Sequence, residues 1–161
     1  MTSRLIFLPI FLGPHTSGHW TSLIADRTVL SPGGVLAFFD SLPAGTATQN
    51  SNQVARALEN TPLFRDGHTW VNTNMIDQAA GSNDCAVCML LTFAAYLLAM
   101  RDAPGKNIEA PRHFSMIRIS NHRLSAGLFG QTGRRHIYNS ICSGKINLDD
   151  EAIQDLKIEF T

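Results

Sequence analysis

Apolar and polar positions divide the chain into short strand-like runs and longer helical ones. Residues 4–12 hold Leu5, Ile6, Phe7, Leu8, Ile10, Phe11 and Leu12 with little polar relief, the mark of a buried strand. Trp20 to Asp26 and Val35 to Asp40 read as a second and a third strand. Gly13-Pro14 and Ser31-Pro32-Gly33-Gly34 serve as the turns between them, which predicts an antiparallel meander. Ser51 to Asn60 places Val54, Ala57 and Leu58 at helical spacing and stops at Asn60-Thr61-Pro62, so a short amphipathic helix is expected there. Trp70 to Met75 is a further strand candidate. Asp84 to Met100 carries Val87, Leu90, Leu91, Ala94, Ala95, Leu98 and Ala99, apolar nearly all round, and predicts a core helix capped by Asn83 or Asp84. Beyond a break at Ala103 to Gly105, a helix is expected within Ile108 to Phe129, with Phe114, Ile117, Leu124 and Leu128 as its apolar members. A short final helix is expected from Asp149-Asp150-Glu151 through Ile153, Leu156 and Ile158. No repeat or low-complexity tract interrupts this order.

At 161 residues and 44% hydrophobic content, one globular domain with a real core, residues 1–161, is the expectation. Lysine plus arginine and aspartate plus glutamate both number 13, so charge supplies no reason to expect a nucleic acid or an anionic membrane as partner. A protein partner or a small ligand fits better, and the oligomeric state is open. The three cysteines, Cys85, Cys88 and Cys142, are an odd number in a chain that needs no staples; this favours free thiols and an intracellular setting, cytoplasm or nucleus. Arg4 followed by an apolar run has the outline of a signal peptide, but Pro9 interrupts it and no small-x-small cleavage pattern follows. No apolar run approaches the roughly 20 residues that span a bilayer, and no membrane association is expected.

The candidate chemistry centres on Cys85, which begins the core helix. A thiol attacks only as thiolate, so it needs a histidine, a carboxylate to orient that histidine, and a donor for the developing oxyanion. A helix N-terminus favours the thiolate and turns free backbone N–H groups toward the reacting centre. His19 stands at the head of the second strand, and Asp40 ends the third, where adjacent antiparallel strands can set their side chains side by side. His15 and Asp26 are the alternatives for those two positions.

Three separated motifs, His19-Trp20, Asp40-Ser41-Leu42 and Gln78-Ala79-Ala80-Gly81-Ser82-Asn83-Asp84-Cys85, fall in the order His, Asp, Gln, Cys. Over roughly residues 5 to 129 the chain resembles the ubiquitin-like-protein-specific cysteine proteases, the deSUMOylating type. The resemblance implies an α+β fold with a papain-like core: an antiparallel or mixed sheet packed on a central helix that starts at the nucleophile, here compact or shortened at its N-terminus. It implies a thiol peptidase or isopeptidase that cleaves after the C-terminal Gly-Gly of a ubiquitin-like modifier of SUMO type, with no cofactor and no metal. Cys85 would be the nucleophile, His19 the base, Asp40 its orienting carboxylate and Gln78 the oxyanion donor, while Trp20 would cover the Gly-Gly tail.

This sequence departs from the family pattern in three places. Gln78 stands seven residues before Cys85 where the family has six, Ala86 replaces a glycine, and the segment that precedes the first strand in the family is missing here; Asn83 is a substitute for Gln78. The departures keep two other readings in view, a catalytically inactive modifier-binding relative and an acyltransferase of the same clan. A separate reading takes Cys85-Ala86-Val87-Cys88 with His15 and His19 as metal ligands or a redox pair; a second C-x-x-C is lacking, and Gly-Pro and Ser-Gly around the histidines argue against a helix that would align them.

Overall fold

The computed structural model describes residues 5–14, 17–27, 34–62, 68–74, 78, 81–102, 117–121, 126–147, 153 and 156–160. The expected turn at 31–33 and the break at 103–105 lie outside them. Four strands form a mixed sheet in the order β1-β2-β3-β4. Strands β1 (Leu5–Leu12), β2 (His19–Asp26) and β3 (Val35–Asp40) are the expected antiparallel meander, and β4 (Thr69–Asn74) adds parallel to β3. Helix α1 (Ala44–Leu58) lies between β3 and β4 in sequence, as a parallel pairing requires. Helix α2 (Cys85–Asp102), strand β5 (Ile117–Asn121), helix α3 (Ala126–Ser143) and strand β6 (Leu156–Phe160) follow. The architecture is α+β.

The sheet is buried on both faces because its strands alternate between two apolar sets. Leu5, Phe7, Ile24, Val35, Ala37, Phe39 and Val71 face α2, where they meet Leu91, Ala95 and Met100. Ile6, Leu8, Leu23, Ala25, Leu36 and Phe38 face α1 and pack on Val54 and Leu58. Aromatic contacts fasten both layers: Phe7 stacks on Phe93 with ring centroids 4.3 Å apart, and Phe39 meets Tyr96 edge-on at 6.2 Å. Pro9 is tolerated because β1 is an edge strand of the described sheet, where a missing N–H costs no ladder bond. Helix α2 has the length and composition to cross a membrane, with mean hydropathy 1.6, but 56% of it is buried within the fold.

Three expectations are corrected. Helix α1 begins at Ala44 and not at Ser51: its first turns carry small, mostly exposed residues without the apolar spacing that marks a helix, and they are launched by Pro43, whose fixed φ suits that position. The helix expected over Ile108 to Phe129 gives way at residues 117–121 to β5, where Ile117 and Ile119 alternate with Arg118 and Ser120 in the two-residue period of a strand; the helix starts only at Ala126. The final helix is likewise replaced at 156–160 by β6, whose Leu156, Ile158 and Phe160 alternate with Lys157 and Glu159. The two strands pair antiparallel, Ile117 opposite Phe160.

One buried polar pair ties the layers together. The Tyr96 hydroxyl on α2 donates to Asp26 Oδ2 at 2.8 Å, and both residues are fully buried. Replacing Tyr96 with phenylalanine removes a donor from a carboxyl group that water does not reach, and a loss of about 1–3 kcal/mol is expected from such a change. Urea unfolding followed by circular dichroism measures it; a shift under a few tenths of a kcal/mol would refute this role.

Candidate functional site

The sheet brings two of the expected residues into direct contact. His19 opens β2 and Asp40 closes β3, and the register Ser22 opposite Phe39 carries them to the same end of the sheet. His19 Nε2 lies 2.7 Å from Asp40 Oδ1, with the histidine side chain 14% exposed and the carboxylate fully buried. Asp40 accepts from two further donors. The backbone N–H of Leu42 donates to Oδ1 at 2.9 Å, an Asx-type turn, and Asn50 Nδ2 donates to Oδ2 at 2.8 Å from α1. Burial pushes the Asp40 carboxyl up, but the hydrogen bonds from His19, Asn50 and Leu42 and the attraction of His19 outweigh it and hold the group below its ordinary 3.8. A carboxylate so held keeps a proton on Nε2 of His19 and leaves Nδ1 as the basic nitrogen.

The other half of the site assembles around Ser41, the residue after Asp40. Its carbonyl accepts the backbone N–H of Gln78 at 2.8 Å, and its hydroxyl donates to Gln78 Oε1 at 3.1 Å. Gln78 Nε2 donates to the Ser82 carbonyl at 3.3 Å, which leaves one amide hydrogen of that group for another acceptor. Ser41 also hydrogen-bonds the thiol of Cys88, one turn into α2. The start of α2, Gln78 and the end of β3 are therefore neighbours. Cys85 is the first residue of α2 and half-buried. Strand alternation sets His19 and Asp40 on the α1 side of the sheet, whereas α2 packs on the opposite side, and Cys85 stands one turn before Cys88, which Ser41 meets at the end of β3. Among the described residues no hydrogen bond joins Cys85 Sγ to His19.

The two cysteines of the C-x-x-C differ sharply. Cys88 is 2% exposed, and burial, with the neighbouring Asp84 charge next in weight, pushes its thiol up to about 12 despite the Ser41 hydrogen bond. It stays protonated at neutral pH and is poorly suited to bind a metal as thiolate. Among the described residues no three His, Cys, Asp or Glu side chains converge as a metal site. His15 lies outside the described residues.

The alternatives for the other positions fare unequally. Asp26 ends β2, about 23 Å along the strand from His19 at the usual rise per residue, and accepts the Tyr96 bond; it cannot orient His19. Asn83 is exposed on the loop before α2. Trp20 is 37% exposed and rests on Phe11 with ring centroids 5.0 Å apart, so it is not a core tryptophan. Gly18 makes room for that arrangement, since a Cβ there would run into the Phe11 ring. An apolar groove of about 340 Å³ lies between α2 and α3, lined by Leu90, Phe93, Ile137 and Ile141, and contains none of the expected site residues.

Asn50, Ser41 and Arg134, which pairs with Asp84, were not singled out by the sequence. Ser41 stood inside the Asp-Ser-Leu motif, but nothing in the sequence marked its hydroxyl. Asn50 lies just ahead of the expected helix start, and Arg134 is an unremarkable cation in an unreadable tail. Compared with protein-family models, with curated proteins and with solved structures, the chain matches none.

The lowered Asp40 carboxyl has a consequence for stability. A group held below its unfolded value contributes stability that is fully present above that value and is lost as pH falls through the folded value. The stability difference between the wild type and Asp40→Asn should therefore shrink progressively as pH falls below 3.8. Chemical denaturation across pH 2.5 to 7, on the order of the carboxylate range, tests this; a difference that stays flat to the acid end would contradict it.

Proposed function

We propose that this protein is a cysteine peptidase with a papain-like core, acting on the C-terminal Gly-Gly of a ubiquitin-like modifier or its conjugates. The observation that carries the proposal is the 2.7 Å hydrogen bond between His19 and a buried Asp40 that also accepts from Leu42 and Asn50, at the end of the sheet where Ser41 meets Cys88 one turn beyond a half-buried cysteine that begins a helix. His19 Nδ1 takes the Cys85 proton, giving a thiolate and an imidazolium that Asp40 stabilises. The thiolate attacks the carbonyl carbon of the terminal glycine, and the oxyanion is met by the Cys85 backbone N–H and the second amide hydrogen of Gln78. Collapse of the intermediate expels the amine, which receives the proton from His19, and a water molecule then releases the acyl group with His19 as base. Trp20, exposed beside His19, offers an aromatic wall for a side-chain-free tail. An acyltransferase would use the same first half-reaction with another acceptor in place of water.

A second reading is favoured by specific observations. The unbonded Cys85–His19 pair, Ala86 in the turn of the oxyanion site and the Gln78 amide turned toward Ser82 suit a relative that binds a modifier without cutting it. Catalytic hydrogen bonds often tighten only with substrate bound, so the loose pair counts less than the other two.

Incubation with ubiquitin-like modifiers bearing a thiol-reactive C-terminal warhead, read by intact mass beside a Cys85→Ala control, separates the readings. A Cys85-dependent adduct with at least one modifier is expected; binding without adduct would support the inactive relative, and neither would sink the modifier assignment. On a cleavable modifier, Gln78→Ala should lower kcat by about 100- to 1000-fold with little change in KM.

A further inference from the structure

The charge that sits closest in sequence to Cys85 is Asp84, and the fold sets a counter-charge against it. Asp84 is 5% exposed at the start of α2, where its carbonyl accepts the Cys88 N–H at 2.8 Å and closes the first helical turn. Its carboxylate is largely out of contact with water. Arg134 of α3 answers it: Nη2 is apposed to Asp84 Oδ1 as a contact ion pair, although the two groups lack the angle of a good hydrogen bond. The approach is made possible by the preceding residue. A Cβ on Gly133 would come within 2.5 Å of Leu91 Cδ1 and 2.6 Å of Val87 Cγ1, so α3 packs closely on the first turns of α2, and any side chain at this position would force those methyl groups to shift.

We propose that Arg134 is a positioning residue for the nucleophile: by pairing with Asp84 it cancels a buried negative charge one residue before Cys85 and fixes the turn from which the thiolate projects. The inference rests on the reading of Cys85 as nucleophile and assigns α3 a part in that site. A carboxylate at this position opposes the formation of a second anion beside it, and the same Asp84 charge contributes to holding Cys88 protonated. The titratable neighbours on its own helix are Cys85 and Cys88, and α3 contributes Arg134. From the sheet, Asp40 ends β3 next to Ser41, which meets Cys88, and it is taken up by His19, Asn50 and the Leu42 N–H. Among the described residues Arg134 is therefore the group that can offset Asp84. It is more than half exposed, so the compensation is partly screened by solvent and salt.

The test needs no substrate. In a Cys142→Ser background, the rate of Cys85 alkylation by iodoacetamide is followed against pH, with the modified cysteine located by peptide mass. Arg134→Gln should move the midpoint of this profile upward by about one unit, which is about tenfold slower alkylation at a pH below it. Arg134→Lys should restore most of the shift, and raised salt should shrink the difference between wild type and Arg134→Gln. Asp84→Asn should move the midpoint downward, and this variant carries the test should Arg134→Gln fail to fold. An unchanged midpoint in a folded Arg134→Gln, or in Asp84→Asn, overturns the proposal. Failure of the peptidase reading would show separately, as the absence of any modifier adduct with a normally alkylated Cys85.

Discussion

The register between β2 and β3 is the constraint on which the rest of this structure depends. Both strands are covered on both faces, so each side chain has one permitted side: Ile24, Val35 and Phe39 against α2, Leu23, Leu36 and Phe38 against α1. A slip by one residue would send all of them to the wrong layer. The same register, Ser22 opposite Phe39, is what carries His19 to Asp40. Core packing and the histidine–carboxylate contact are therefore one structural decision. The hydroxyls of Thr21 and Thr73, which bond the carbonyls of Phe39 and Phe38 respectively, satisfy polar groups at this crowded strand end without breaking the register.

Each helix then adds one thing to that strand end. From α1 comes Asn50, which fills the remaining oxygen of Asp40 and fixes the carboxylate's rotation. From α2 comes Cys85 at a helix start, with Cys88 sealed beneath it, so that only one of two closely spaced thiols is open to chemistry. From α3 comes the counter-charge to Asp84, at a helix contact that Gly133 keeps short. The division is physically sensible: the sheet sets distances, while the helices set charge and exposure.

The elements with a strong period were readable in the chain. The three-strand meander, the fourth strand and the α2 core helix follow from apolar runs that any buried strand or helix would need. The first turns of α1 were not, since Ala44 to Asn50 are largely small and exposed and their helical state follows from Pro43 and from the need to cross from β3 to a parallel β4. Strands β5 and β6 are only five residues each, and their paired positions lie from 35 (Asn121 and Leu156) to 43 (Ile117 and Phe160) residues apart, so their pairing is a long-range event to which local pattern is nearly blind. Helix α3 contains Gly127, Gly130 and Gly133, weak helix formers, and at Gly133 it packs against Val87 and Leu91 of α2.

By itself the sequence determined the candidate chemistry: a cysteine at the start of an apolar helix, with a histidine and an aspartate at opposite ends of neighbouring strands. Hydrophobic alternation is local, and it is enough to say which residues are buried and which end a strand. Tertiary structure decided that Asp40 touches the histidine, because the register of β2 on β3 sets that distance, whereas Asp26 lies at the far end of the histidine's own strand. It also decided that Asn50, Ser41 and Arg134 complete the surroundings, since hydrogen bonds and ion pairs between distant elements leave no period in the sequence to read.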